Sequence, residues 1–196
     1  TSPGSVLTND HARPGDVLVL TKPLGTGVYC DAMLQGGLTP ERFDEYVGQM
    51  ERLNKYAAEV MQRFRVTALT DVTGFGLLGH AIHFSRNAGV LLSIEAESVP
   101  LLPGLPDLLA DFNPKGVCKC RDFVEPHLRI SGTVDPRYAT LFYEAQTSGG
   151  FLAAVDPADA DTLVKALRDN GDSRTAIIGS VRERDGDDAG IFIEIV

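Results

Sequence analysis

The chain has 196 residues, 43% of them apolar, and a formal net charge of −9. That length is enough to bury a full core, and the acidic surface repels nucleic acid and anionic membranes, so neither is expected as a partner. No run of 18 or more apolar residues is present, which excludes a membrane-spanning helix at the level of the sequence.

Residues 1–16 are polar and rich in Pro and Gly, and they read as a linker or the tail of a missing domain. The chain opens at Thr1 rather than Met, which predicts a piece of a longer protein. Asp16-Val-Leu-Val-Leu-Thr21 is a short buried strand, broken by Lys22-Pro-Leu-Gly-Thr-Gly27. Pro40 then opens a long helix to about Phe64. Its apolar positions Phe43, Tyr46, Met50, Leu53, Ala57, Val60 and Phe64 recur three and four apart and give one core-facing stripe.

Arg65 to Thr70 is a strand that delivers Asp71, and Leu77 to Ala88 is a helix closed by Gly89. Val90 to Glu95 reads as a strand, and Pro100 to Asn113 as a proline-broken segment with one short helix. Residues 114–134 are expected to be irregular. Pro136 to about Ala145 is helical, Phe151 to Val155 a strand and Pro157 to Asn170 a helix. Thr175 to Arg182 and Gly190 to Val196 are expected to pair as a hairpin around Arg184-Asp-Gly-Asp-Asp188. Strands and helices interleave without a regular βαβ repeat. This pattern predicts an α+β domain over residues 17–196, a mixed sheet layered with helices.

The chemistry concentrates at Asp71. A carboxylate between a strand end and a glycine-punctuated helix start lies beside backbone N–H groups, where anions are stabilised. Taken alone, such an Asp is most simply a helix cap. With Thr70, Thr73, Gly74 and Gly76 around it, a second reading opens: a metal held between Asp71 and a phosphate chain. Mg²⁺ is usually held by one or two carboxylates plus phosphates and waters, so Asp71 needs partners from elsewhere. Thr73 and Gly74 would present a hydroxyl and an N–H to phosphate.

The remaining candidates have plainer readings. Gln146-Thr-Ser-Gly-Gly150 is either a second anion-binding turn or a tight strand entry. His80 and His83 share a helix face but lack Glu or Cys at ligand spacing, so they form no zinc motif and read as packed or solvent-bonded residues. Cys118-Lys-Cys120 lacks a second Cys/His pair. With Cys30 these make three cysteines, too few for a disulfide framework and consistent with a reducing cytoplasm. Lys22 has no assigned role, and residues 185–188 read as a solvated turn.

The eleven residues Thr70-Asp-Val-Thr-Gly-Phe-Gly-Leu-Leu-Gly-His80 resemble the hallmark segment of selenophosphate synthetases (selenide, water dikinases). Thr21-Lys-Pro-Leu-Gly-Thr-Gly27 and Gln146-Thr-Ser-Gly-Gly150 agree, in the family's order. The match covers only the C-terminal part of such an enzyme. It implies the C-terminal domain of the aminoimidazole-ribonucleotide-synthetase-like fold, partly ferredoxin-like, with residues 1–16 trailing from a missing N-terminal ATP-binding domain. It also implies conversion of ATP, selenide and water to selenophosphate, AMP and phosphate, with Mg²⁺ as cofactor and ATP as substrate. Asp71 would join N-terminal aspartates as a Mg²⁺ ligand, which decides between its two readings in favour of metal. The family's reactive Cys or selenocysteine and its lysine belong to the N-terminal part, so no catalytic residue is assigned here. The chain by itself is expected to be inactive, and homodimerisation is expected through the missing domain.

Two departures stand out. Glu144-Ala145 replaces the Asp-Pro that precedes Gln-Thr-Ser-Gly-Gly in many members, and residues 115–121 lack an expected Gly-Gly and Asn. They leave room for a paralogous ATP-dependent synthetase acting on an amide or carbamoyl substrate. A stand-alone fold or dimerisation domain is the non-enzymatic alternative.

Overall fold

The computed structural model describes residues 6–111 and 118–196. Seven strands form one mixed sheet: β1 (Val17–Leu20), β2 (Val66–Asp71), β3 (Leu91–Ile94), β4 (Leu128–Ile130), β5 (Phe151–Val155), β6 (Ala176–Arg182) and β7 (Ile193–Ile195). Their spatial order is β2-β5-β1-β6-β3-β7-β4. The pairs from β2 to β3 are antiparallel, and β7 runs parallel to both β3 and β4.

Side-chain alternation along the central strands separates two cores, as the two-residue strand period requires. Leu18, Leu20, Leu152 and Ala154 face one core, which also takes in α1 (Thr26–Leu34), α4 (Gly76–Ala88) and α7 (Pro136–Phe142). Val19, Ala153 and Val155 face the other, closed by α3 (Lys55–Met61) and α8 (Pro157–Asp169). This is the expected α+β arrangement, a mixed sheet with helices on both faces. Residues 6–16 are held to it: Leu69 N–H donates to the Thr8 carbonyl (2.8 Å), Gly15 N–H donates to that of Val181 (2.9 Å), and Ala12 is buried.

Several local expectations are corrected. The long helix from Pro40 to Phe64 is two helices, because α2 (Pro40–Glu51) stops at Arg52, whose backbone is extended. The break has a tertiary cause. Buried Lys22 reaches across and donates from Nζ to the carbonyls of Gln49 (3.2 Å) and Arg52 (2.7 Å), taking up the unpaired C-terminal groups of α2. Arg52 itself is pinned by Asp172 (2.7 Å). The stripe therefore splits: Tyr46, Ala57 and Val60 are buried, whereas Leu53 is 58% exposed and Phe43 42%.

The C-terminal hairpin does not form. β3 stands between β6 and β7, so the acidic turn connects strands that are not partners. Residues 114–134 are not irregular throughout: α6 (Cys118–Val124) and edge strand β4 lie there. Helices α1 and α5 (Leu105–Asp111) complete the set. The side chain of Cys118 and residues 115–117 of the departing stretch lie outside the described residues, so the Cys-x-Cys reading does not extend to structure.

Candidate functional site

The three singled-out segments meet at one end of the sheet. Asp71 is the last residue of β2 and pairs in register with Phe151, the first of β5, so the turn 146–150 lies beside it. Glycine makes this contact possible. A Cβ on Gly149 would stand 1.9 Å from the Val72 carbonyl oxygen, and one on Gly150 would stand 2.5 Å from Thr21 Oγ1. The glycines of 146–150 are thus accounted for by close backbone approach, the tight-strand-entry reading. Ser148 adopts a positive φ of 50° in the same turn, and its carbonyl accepts from Lys22 Nζ (2.9 Å). Lys22 is therefore a structural cation here, with burial pushing its pKa down.

Asp71 is exposed and does not cap α4, whose N-terminus has no side-chain cap. Its Oδ2 instead accepts from the Thr73 hydroxyl (3.3 Å), and Thr73 Oγ1 also lies 3.1 Å from His80 Nε2. The single hydroxyl hydrogen serves one neighbour at a time. Donated to Asp71, it leaves Thr73 Oγ1 to accept from an Nε2-protonated His80. Desolvation pushes the His80 pKa down, and the negative charge of Asp71 partly offsets that. Gly74 is exposed, with open space where a side chain would stand. An open depression of about 450 Å³ runs alongside, lined by Leu7, Thr8, Asn9, Leu69, Thr70, Asp71 and Phe151.

His80 belongs to this constellation, although the sequence suggested only a packed or solvent-bonded helix residue. The signal was present: Thr73 and His80 bracket the first turn of α4, so a hydroxyl before the turn can reach an imidazole within it. Burial of Glu144 is a second surprise. Its carboxyl has no solvent exposure, accepts from the Val28 N–H at the start of α1, and accepts from Gln146 Nε2 (3.2 Å). Burial pushes its pKa up to about 8 against the opposing pull of those donors, and Asp31 adds to the rise. Among the described residues, no group of three or more His, Cys, Asp or Glu side chains could hold a metal ion.

A family model described as AIR synthase related protein, C-terminal domain, matches residues 13–191. The chain belongs to this family. Within it, the chain is 43% identical over 185 residues to a selenide, water dikinase of Geobacter metallireducens, covering 94% of this chain and 54% of that protein. It is 38% identical over 181 residues to that of Clostridioides difficile, covering 92% and 52%. The one from Porphyromonas gingivalis is 41% identical over 193 residues, covering 97% and 54%. The chain thus spans about half the length of the curated relatives it matches.

Solved structures agree on the fold. A thiamine-monophosphate kinase from Stenotrophomonas maltophilia superposes with a TM-score of 0.67 at 15% identity, over 100% of this chain and 54% of that one. Hydrogenase maturation protein HypE in complex with ATP gives 0.65 at 18% identity, over 97% and 50%.

Proposed function

We propose that this chain is the C-terminal domain of a selenide, water dikinase, and that it supplies Asp71 to a magnesium–ATP site completed by residues outside it. The observation that carries the reading is the meeting of the three motif segments around an exposed carboxylate that caps nothing. A carboxylate whose side-chain partner among the described residues is one hydroxyl at 3.3 Å is available to a cation.

The donor chemistry fits Mg²⁺, which prefers oxygen ligands and is held by few carboxylates plus phosphate and water. Asp71 would hold the ion, with Thr73 orienting its carboxylate. A divalent cation bound there supplies charge neutralisation to a phosphate chain, which is the main need of phosphoryl transfer. Thr73 and Gly74 then serve the phosphates: the first through its hydroxyl, turned from Asp71 once the cation holds that carboxylate, the second by leaving the main chain uncovered at an exposed turn. The acidic net charge of −9 makes a cation necessary, since the bare surface would repel ATP. On this reading the protein pairs as a homodimer through an N-terminal ATP-binding domain, in the cytoplasm.

Product analysis tests this. Native-length protein incubated anaerobically with Mg²⁺, ATP and selenide is expected to release AMP and phosphate, and neither without selenide. AMP formation indifferent to selenide, or ADP as the final product, would overturn the assignment.

A further inference from the structure

The buried pair Glu144 and Gln146 links three segments through one connected set of hydrogen bonds. Gln146 Oε1 accepts from the N–H groups of Gly25 (3.0 Å) and Thr26 (3.3 Å) and from the Thr26 hydroxyl (3.2 Å). Its Nε2 donates to the Glu144 carbonyl (3.1 Å) and to Glu144 Oε2 (3.2 Å). Its main-chain N–H donates to the Thr73 carbonyl (2.9 Å). Thr147 N–H returns to the Thr26 hydroxyl (2.8 Å). The Glu144 carboxyl meanwhile accepts from the Val28 N–H, satisfying a free donor of the first turn of α1. One side of this clamp holds the loop 21–27. The other holds Thr73, the residue that touches both Asp71 and His80.

The same pair is set by shape from the opposite direction. Gly27 lacks a Cβ where one would stand 2.7 Å from Glu144 Oε1, and Gly76 lacks one where it would stand 2.6 Å from the Glu144 carbonyl oxygen. Glycines at 27 and 76 therefore let α1 and α4 close onto Glu144 from two sides.

We propose that Glu144 and Gln146 are positioning residues that fix the Asp71–Thr73 loop against the loop 21–27, so that Asp71 is presented to the cation in one orientation. This rests on the function proposed above. Neither residue touches substrate: the Gln146 main-chain N–H holds the Thr73 carbonyl, and the Glu144 and Gln146 side chains hold that main chain against the loop 21–27. The departure at Glu144 is on this account a longer carboxylic acid reaching the α1 N-terminus.

The test uses native-length protein carrying Glu144→Ala, Gln146→Ala or Glu144→Gln. Gln at 144 keeps an oxygen for the Val28 N–H and fills the same space. Two readouts are taken on folded protein: hydrogen–deuterium exchange of the segment 71–76, and the Mg²⁺ concentration giving half-maximal selenide-dependent turnover. Both alanine variants are expected to speed exchange in 71–76 and to raise the Mg²⁺ requirement roughly fivefold to tenfold, the size of one lost hydrogen-bonded contact. Glu144→Gln is expected to fall between wild type and the alanine variants in both, since it keeps the acceptor for the Val28 N–H but sets its amide nitrogen against Gln146 Nε2.

A lower melting temperature with unchanged exchange in 71–76 and unchanged Mg²⁺ requirement would overturn the proposal, because the pair would then serve stability alone. Should the alanine variants fail to fold, Thr26→Val cuts the clamp at its far end at constant volume and is read the same way. A wild type lacking selenide-dependent turnover would strike the proposed function, and the exchange readout would still decide the clamp.

Discussion

Asp71 and Glu144 are carboxylates in opposite environments, and each environment makes its own prediction. Asp71 is exposed and makes one modest hydrogen bond, so Asp71→Ala should change stability by no more than about 0.5 kcal/mol. In native-length protein it should lower turnover by about 10²- to 10³-fold, as losing one preorganised charge stabiliser does. Wild-type turnover in that variant at limiting Mg²⁺ would remove Asp71 from the site. Glu144 is buried, with its pKa raised from an ordinary 4.5 to about 8. The folded chain therefore keeps a proton that the unfolded chain releases. The stability this contributes is full below about pH 4.5 and is lost as pH rises to about 8. Glu144→Gln cannot titrate, so across that window its denaturation free energy should gain on wild type by roughly 1.4 kcal/mol per pH unit. Parallel curves for the two proteins would show that Glu144 is ionised throughout. The place of Asp71 at a strand end was legible from the sequence because the strand and the glycines after it are local signals. Glu144 was not, since burial by α1 and α4 is a property of the fold and leaves no local mark.

The turn 146–150 and the loop 72–76 both carry glycine, but for different reasons, and substitution should separate them. Gly149→Ala drives a Cβ into the Val72 carbonyl at 1.9 Å, backbone against backbone. Its cost should exceed the ~1–3 kcal/mol of ordinary overpacking, read as a drop in melting temperature or failure to fold. Gly74→Ala meets nothing within 4 Å and should leave the melting temperature close to wild type. If Gly74 lies against phosphate, the same variant should raise the KM for Mg-ATP in native-length protein, and an unchanged KM would release Gly74 from that role. Where the sequence misled, the cause was an interaction between elements. The α2–α3 break depends on Lys22 arriving from β1 and Asp172 from beyond α8. An apolar stripe at helical spacing carries no trace of either. The expected hairpin had sound turn chemistry, yet β3 fills the place between its strands. The helix α4 and its Gly89 terminus (φ 72°) follow the sequence closely, because cap and periodicity there are local.

At the level of the whole molecule, one end of a seven-stranded sheet gathers segments separated by more than a hundred residues into a single face. The chain spans about half the length of its relatives. No group of three or more metal-binding side chains lies among the described residues, which accords with the proposal of a site completed by residues outside the chain. The most direct test is phosphorus NMR of native-length protein with Mg-ATP and selenide under anaerobic conditions. The account predicts AMP, phosphate and a new phosphorus–selenium resonance that all require selenide and all fall away in Asp71→Ala. ATP left intact, or hydrolysed at the same rate without selenide, would contradict it.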